Sequence, residues 1–140
     1  MPTLQKFASF SHELGKGTHN LTSHTLKALF TNTAPNLATN AVLADLTDIA
    51  AAGGYPAGGV TLDGVSWTTS GGVAKLTITD EVFTASGASV GPFRYVVIYN
   101  ATASGGPLIG SADYGAALTL ASGESLTLDF DASAGVLTVE

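Results

Sequence analysis

The first side chains whose type and spacing could bind a metal are three histidines, His12, His19 and His24. Imidazole ligands must converge on the ion, as they do on adjacent strands or at positions i and i+4 of one helix. Here the first histidine falls in a predicted helix, the second in a glycine-rich break and the third at the start of a predicted strand. This spacing favours ordinary surface or interface histidines over a metal site.

The acidic residues form two small groups near predicted strand ends. Asp129 and Asp131 alternate on one face of the segment LDFD, and Asp80 is followed directly by Glu81. Four converging carboxylates would suit calcium, and a pair of carboxylates is what glycoside cleavage requires. Nothing in the spacing requires the two groups to meet. The pattern favours acids on the solvent face of a strand, where they discourage edge-to-edge aggregation.

Nucleophile and phosphate-binding motifs are the next candidates for chemistry. The chain has no cysteine, which excludes disulfides, thiolate metal sites and cysteine nucleophiles. Serine-containing turns are plentiful, but they lack the strand-to-helix context of a hydrolase serine. The glycine-rich segment GGYPAGG lacks the Lys-Ser/Thr pair and the preceding parallel strand of a phosphate-binding loop. We therefore expect no enzyme, no cofactor and no metal.

Aromatic residues offer a different kind of site. Tyrosine and tryptophan can stack on carbohydrate, anchor a protein interface or fill a core, and the sequence leaves all three uses open. Burial in the core is the most ordinary of them. The residues in question are Tyr55, Trp67, Tyr95, Tyr99 and Tyr114.

The composition describes a single domain with an unusually uncharged surface. The chain has 140 residues, of which 45% are apolar and only 11% are charged, against about a quarter in average proteins. Its net charge of −6 and five scattered basic residues argue against a nucleic-acid surface. So little charge is unusual for a free monomer, which indicates that partners cover part of the surface. No segment resembles a signal peptide or approaches about 18 consecutive apolar residues, so we expect synthesis in a cytosol and no membrane span.

The N-terminal third contains the helical patterns. Leu4, Phe7, Phe10 and Leu14 form one stripe at helical spacing, which predicts a helix over Thr3 to Leu14 with Thr3 as its N-cap. A second short helix is plausible over residues 40–50. We therefore divide the single domain, residues 1–140, into an N-terminal helix and arm (1–22) and a β-sandwich (23–140).

Period-two patterns fill the remainder of the chain. FRYVVIYN is apolar on both faces, which is typical of a central strand that is covered twice. AALTLASGESLTLDFD has alternating leucines on both sides of the turn ASGE, which predicts a hairpin. Six to eight short strands with glycine-rich turns predict a mainly β fold, an antiparallel β-sandwich of jelly-roll type, with one or two short helices.

Four blocks of sequence, in this order, carry a resemblance to known proteins. They are HNLTSHTLKALFTNTAPN, ADLTDIAAAGGYPAGG, GPFRYVVIYN and PLIGSADYG. The chain resembles, from about residue 5 to its end, a family of small virion structural proteins of tailed bacteriophages. The family includes the cement, or decoration, proteins on the heads of some short-tailed phages, such as a Bordetella phage.

The resemblance implies a non-enzymatic module on the outer capsid surface of a virion. Its expected partners are the major capsid protein and further copies of itself, as a homodimer or larger assembly, with no nucleic acid and no membrane. A tail-associated carbohydrate- or receptor-binding sandwich is the alternative, and a glycosidase-like sandwich using Asp129 or Asp131 is a third hypothesis. The helical stripe, the glycine-rich loop and the FRYVVIYN strand supply the candidate interface residues, which are Phe7, Phe10, Leu14, Tyr55, Tyr95 and Tyr99.

Overall fold

β-Strands dominate the structure, a computed structural model that describes residues 1–140. Its elements are β1 (Gln5–Lys6), α1 (Ala8–Lys16), β2 (Leu26–Thr31), β3 (Val60–Thr61), β4 (Ser66–Ser70), β5 (Val73–Thr77), β6 (Glu81–Thr84), β7 (Val90–Asn100), β8 (Leu108–Leu120), β9 (Ser125–Leu128) and β10 (Leu137–Val139). All strand pairs are antiparallel. The mainly β, antiparallel class predicted from the sequence is confirmed.

The central feature is a five-stranded sheet in the order β1-β8-β7-β2-β3. β7 lies in its middle, between β2 on one side and β8 on the other. The prediction that FRYVVIYN is a central strand is confirmed. Val96 and Ile98 point into one buried cluster, while Val97 and Tyr99 belong to another. Because successive side chains of a strand alternate between faces, both faces of this sheet are covered.

The larger of these two clusters joins all three sheets of the molecule. Its members come from the five-stranded sheet, from the three-stranded sheet β10-β5-β4 and from the two-stranded sheet β6-β9. Phe30 lies at its centre, stacked on Phe93 and Tyr55 with ring centroids 4.7 and 5.0 Å apart, and Phe83 meets it edge-on at 5.8 Å. Such offset and edge-to-face pairs contribute about 0.5–1.5 kcal/mol beyond the area they bury.

The smaller cluster covers the opposite face of the five-stranded sheet. Its five buried members are Phe7, Leu29, Val97, Tyr99 and Leu108. Three leucines of the segment between β2 and β3, Leu37, Leu43 and Leu46, pack against them. This segment therefore acts as the second cover of the sheet, although it contains almost no regular secondary structure.

The helix predictions need correction at both places. α1 begins at Ala8 rather than near Thr3, because Gln5 and Lys6 pair with β8 and the Phe7 amide donates to the Ile109 carbonyl at 3.1 Å. The helix ends at Gly17, whose φ of 86° is the left-handed conformation that glycine adopts easily. No helix of the structure combines the length and apolar character needed to span a membrane.

The second predicted helix, over residues 40–50, is wrong. Only one turn of 3-10 helix forms there, Leu43–Asp45. The Asp45 carboxylate accepts hydrogen bonds from the amides of Ala41 and Val42 at 2.8 and 3.2 Å, which holds the chain in a tight turn. Two of the apolar residues that suggested a helical face pack on different clusters, Leu46 on the smaller one and Ile49 on the larger one.

The predicted hairpin around ASGE is also wrong. A turn does form there, but β9 pairs with β6 and not with β8. Two backbone hydrogen bonds join Ala85, which follows β6, to this turn. The Ala85 amide donates to the Glu124 carbonyl at 2.9 Å, and the Gly123 amide donates to the Ala85 carbonyl at 2.7 Å, which places β9 beside β6. The end of β8 remains paired with β7, where Leu120 lies opposite Val90. Alternating leucines fit either partner equally well, so the sequence pattern alone could not choose between them.

Two glycines of the loop before β3 give a matched test of this packing. Gly59 has φ of 97°, and a Cβ built on it would overlap with the Ala28 carbonyl group. Gly54 has φ of 87° but open space around it. We expect Gly54→Ala to cost about 1–2 kcal/mol from the left-handed backbone alone. Gly59→Ala should cost about 3 kcal/mol or more, because β2 must also shift. Urea denaturation of both variants measures the difference, and equal losses would contradict the close approach.

Candidate functional site

Four of the six candidate interface residues are buried inside the chain. Phe10 and Tyr55 lie in the larger cluster, and Phe7 and Tyr99 lie in the smaller one. Each is at most 3% exposed, so in this fold it has no surface to offer to a partner. The same residue types fill cores and anchor interfaces, which is why the sequence could not separate the two uses.

The two remaining candidates are partly exposed. Leu14 lies on α1 and packs its inner side against the larger cluster. Tyr95 lies on β7 and belongs to neither cluster. The interface prediction therefore rests on these two residues. Of the two, Tyr95 lies beside both a charged side chain and a surface cavity.

Tyr55 has a structural role that its sequence context did not reveal. Its hydroxyl donates to Asp48 Oδ1 at 2.7 Å and accepts from the Phe30 amide at 2.9 Å. The other Asp48 oxygen accepts from the Gly58 amide at 2.8 Å, and the Tyr99 hydroxyl donates to the Gly58 carbonyl. Burial raises the pKa of Tyr55 above its usual value. The loop GGYPAGG is thus fastened to the sheet at both tyrosines.

Tyr95 lies beside an ion pair that joins β7 to β8. Arg94 Nε donates to Asp113 Oδ1 at 2.8 Å, and Arg94 Nη2 donates to Asp113 Oδ2 at 3.1 Å. The guanidinium also lies over the Tyr95 ring, 5.3 Å from its centroid. Strict alternation would place Arg94 on the opposite face from Tyr95. The register shift between Phe93 and Tyr95 lets one side chain reach both neighbours.

These groups border a shallow depression of about 240 Å³. We call this surface the Tyr95 patch, and it consists of Arg94 together with the lining residues Gln5, Ala34, Pro35, Leu37, Tyr95, Ser111 and Asp113. The bond to Arg94 and the amide of Gly115 hold the pKa of Asp113 below its usual value, so the carboxylate stays ionised at neutral pH. The patch therefore presents an aromatic ring, a charge pair and an amide on three neighbouring strands, β7, β8 and β1.

The other aromatic residues do not join this patch. Trp67 and Tyr114 are partly buried against the larger cluster. Each cavity of the structure is lined by at most one of the five tyrosine and tryptophan residues that suggested a carbohydrate platform. No cavity of the structure therefore brings two of these rings together.

The acidic residues lie near one another but line different cavities. Asp80 borders a cavity of about 380 Å³, whereas Asp129 and Asp131 border another of about 360 Å³ beside the N-terminal residues. Asp80 Oδ1 accepts from the Phe130 amide at 2.8 Å, and Asp131 Oδ1 accepts from two amides of the following turn. No group of three or more histidine and acidic residues is placed to hold a metal ion. Asp80 and Asp131 thus act as caps for backbone amides.

Two of the three histidines meet a residue that the sequence analysis did not single out. Asn100, at the end of β7, has its Nδ2 atom 3.2 Å from His19 Nδ1 and 2.9 Å from His24 Nδ1. His12 is exposed on α1 and takes no part. More than seventy positions separate Asn100 from either histidine, so no local pattern could have revealed this contact.

One serine turn has the spacing G-x-S-x-G, at residues 87–91. Ser89 is exposed and leads directly into β7, so the turn does not join a strand to a helix as a nucleophile elbow does. His19 and His24 lie at the opposite end of β7, about 30 Å away along the strand. This geometry offers no base to the serine.

Comparisons of this chain with protein-family models, with curated proteins and with solved structures find no significant match.

Removal of the Tyr55 hydroxyl tests whether this side chain holds the loop. Tyr55→Phe should lower the free energy of unfolding by about 1–3 kcal/mol, because it leaves the Phe30 amide and Asp48 without their shared partner. Tyr95→Phe is the matched control, since its hydroxyl has no partner within the chain, and we expect a change within about 0.5 kcal/mol. Urea denaturation at pH 7 measures both, and a loss at Tyr55 no larger than at Tyr95 would contradict the role.

Proposed function

We propose that this protein is a non-enzymatic structural component of a bacteriophage virion. It binds the outside of the capsid shell and cements neighbouring major capsid subunits, which stabilises the head against the pressure of packaged DNA. The proposal is supported by the four resembling sequence blocks, by the scarcity of charged residues and by the Tyr95 patch. Its place is the capsid surface, after synthesis in the cytoplasm of the bacterial host.

The Tyr95 patch is the observation that carries the contact with the shell. Tyrosine and arginine are enriched among the residues that dominate binding energy at protein interfaces. Here the two side chains touch, and Asp113 holds the guanidinium in place. Pro35 and Leu37 add apolar area beside them. A surface that is already ordered loses little conformational entropy when a partner binds.

The arrangement of the sheets fits a mechanical role. In this proposal the five-stranded sheet and the two smaller sheets, which share one buried cluster, form an open sandwich of jelly-roll type. β7 carries Tyr95 near its middle and is buried from Val96 to Asn100, so a force applied at the patch acts on the most heavily covered strand. Such a module can resist the separation of capsid subunits without moving.

Self-association multiplies modest contacts. A dimer or larger assembly on a regular lattice makes several attachments at once, and linked attachments raise avidity by about 10²–10⁴. The partners in this proposal are the major capsid protein and further copies of this chain. Leu14, which is partly exposed on α1, is the remaining candidate for the contact between copies.

The first experiment mixes the purified protein with matured capsids that lack it and counts the bound copies by cryo-electron microscopy. Tyr95→Ala should weaken binding at least about tenfold, because it removes the ring at the centre of the patch. Val82→Ala is the control, since Val82 is the large apolar side chain most exposed elsewhere, on β6. We expect this control to bind like the unchanged protein. Deletion of residues 1–15 would be a poor test, because it removes Phe7 and Phe10 from the two buried clusters.

Two results would count against the proposal in different ways. If the unchanged protein left no density on the head, the cement function would be wrong. If it bound but Tyr95→Ala bound equally well, the function would stand and the contact surface would be elsewhere.

A tail-associated carbohydrate- or receptor-binding module is the second candidate. The favouring observation is again the Tyr95 patch, in which a ring lies next to a carboxylate and the Gln5 amide in a depression that suits one sugar unit. A glycan array would separate the two functions. Binding to a glycan that Tyr95→Ala abolishes, together with no binding to capsids, would favour the receptor function.

A further inference from the structure

Asn100, at the end of β7, has hydrogen-bond partners for both the oxygen and the nitrogen of its side-chain amide. Its Oδ1 atom accepts hydrogen bonds from the amides of Thr102 and Ala103, both at 3.0 Å. Its Nδ2 atom faces His19 Nδ1 and His24 Nδ1. We call Asn100, His19 and His24 the Asn100 cluster.

The two backbone amides fix the protonation state of both imidazoles. Because the oxygen of Asn100 must face these donors, its NH₂ group must face the histidines. Each of its two hydrogens then needs an acceptor, and an imidazole nitrogen accepts only when it carries no proton. Both rings are therefore neutral, with their proton on Nε2. The Asn20 amide also donates to His24 Nδ1, at 3.2 Å, which requires the same state.

His19 has no means of accommodating a second proton in this fold. The residue is 5% exposed, its Nε2 atom is buried without a partner, and its ring packs against Phe10 at a centroid distance of 5.1 Å. Glu13 on α1 is the charged group that favours the protonated form, whereas His24 disfavours it. Glu13 itself is already bonded to Thr18 and Lys16. From β7 the ring meets only the neutral amide of Asn100.

The cluster bonds the segment between α1 and β2 to the end of β7. From here on we call this segment, residues 17–25, the arm. Within the arm, the His24 amide donates to the Asn20 carbonyl at 2.8 Å. The arm is joined to the loop after β7 by two bonds: the Thr25 amide donates to Thr102 Oγ1 and the Ala101 amide donates to the Thr25 carbonyl, both at 2.9 Å. Leu21 is the arm's anchor in the larger cluster.

We propose that the Asn100 cluster is an acid-sensitive latch, in which protonation of His19 breaks its bond to Asn100 and releases residues 17–25 from the sheet. A proton on His19 Nδ1 points an N–H group at the NH₂ group of Asn100, so the hydrogen bond is replaced by repulsion. Release exposes Leu21 and frees the end of α1. The latch is independent of what the protein binds.

The sign of the pH effect follows from burial. Burial lowers the pKa of His19 below its usual value of 6.5, so the unfolded or open chain binds the proton more readily than the folded one. The stability that the latch contributes is therefore complete above about pH 6.5 and is lost as the pH falls below it. Lys16 and His12 lie beyond Glu13 and do not reverse this direction.

Amide hydrogen exchange of the ¹⁵N-labelled full chain tests the latch. The relevant amides are those of His24, Thr25 and Ala101, and the amides of Val97 and Ile98 serve as internal controls in the middle of β7. Protection factors, which already correct for the slower chemical exchange in acid, should fall about tenfold or more in the arm between pH 7.5 and pH 5. The control amides should keep their protection.

Asn100→Asp should invert this response. The carboxylate retains an oxygen for the amides of Thr102 and Ala103 but presents a second oxygen to His19, which favours its protonated form. The arm should then be better protected at pH 5 than at pH 7.5. His12→Gln is the matched control, since His12 lies outside the cluster and its variant should respond like the unchanged protein.

Two results would overturn the latch. One is equal arm protection at both pH values in the unchanged protein, or the same acid-induced loss in Asn100→Asp. The other is available even if Asn100→Asp fails to fold. Long-range ¹H–¹⁵N spectra at pH 7.5 should show both imidazoles with the proton on Nε2, and a proton on Nδ1 of either ring would exclude the hydrogen bonds that the latch requires.

Discussion

The structure depends on one constraint, the need to bury both faces of β7. Its side chains are apolar on either side, so a single cover would leave a row of large hydrophobic groups in water. The two smaller sheets cover one face and share a cluster centred on Phe30. The irregular segment between β2 and β3 covers the other face with three leucines. Full burial of one such side chain contributes about 1.5–3 kcal/mol, so the three partly buried leucines supply part of what holds this segment. Backbone bonds to its neighbours, such as that from the Leu108 amide to the Ala41 carbonyl, supply another part.

Polar contacts then determine where the loops lie, and each of them satisfies a group that the packing would otherwise leave unpaired. Tyr55 reaches Asp48 and the Phe30 amide from inside the larger cluster. Asn100 does the same at the end of β7, where four donors and acceptors meet on one side chain. Because a buried polar group without a partner costs about 1–3 kcal/mol, these few residues select one loop conformation among the many that would bury the same leucines. They differ in one respect: burial raises the pKa of Tyr55 above its usual value, whereas burial lowers the pKa of His19, which Asn100 contacts.

The sequence predicted those features that follow from the side chains of a single segment. The class of fold and the central position of FRYVVIYN could be read in this way, because alternation and two-sided hydrophobicity are local properties. Features that depend on a distant partner could not. α1 begins later than predicted because Gln5 and Lys6 pair with β8. β9 pairs with β6 instead of β8, and backbone bonds at Ala85 support that pairing. The candidate site was affected in the same way, since nothing in the local pattern distinguishes the buried Tyr99 from the partly exposed Tyr95.

These two tyrosines also explain how one strand can serve both the core and a surface. Tyr95, Val97 and Tyr99 point to the same side of β7, because they are two residues apart and their register with β2 is regular from Tyr95 to Asn100. The leucine cover protects Val97 and Tyr99, and it ends beside Leu37 at the depression in which Tyr95 lies. The Tyr95 patch is thus the uncovered end of a face that is buried along the rest of its length. A partner that docks there would cover the part of this β7 face that the leucines leave exposed. Binding and folding stability would then both depend on the side chains of β7.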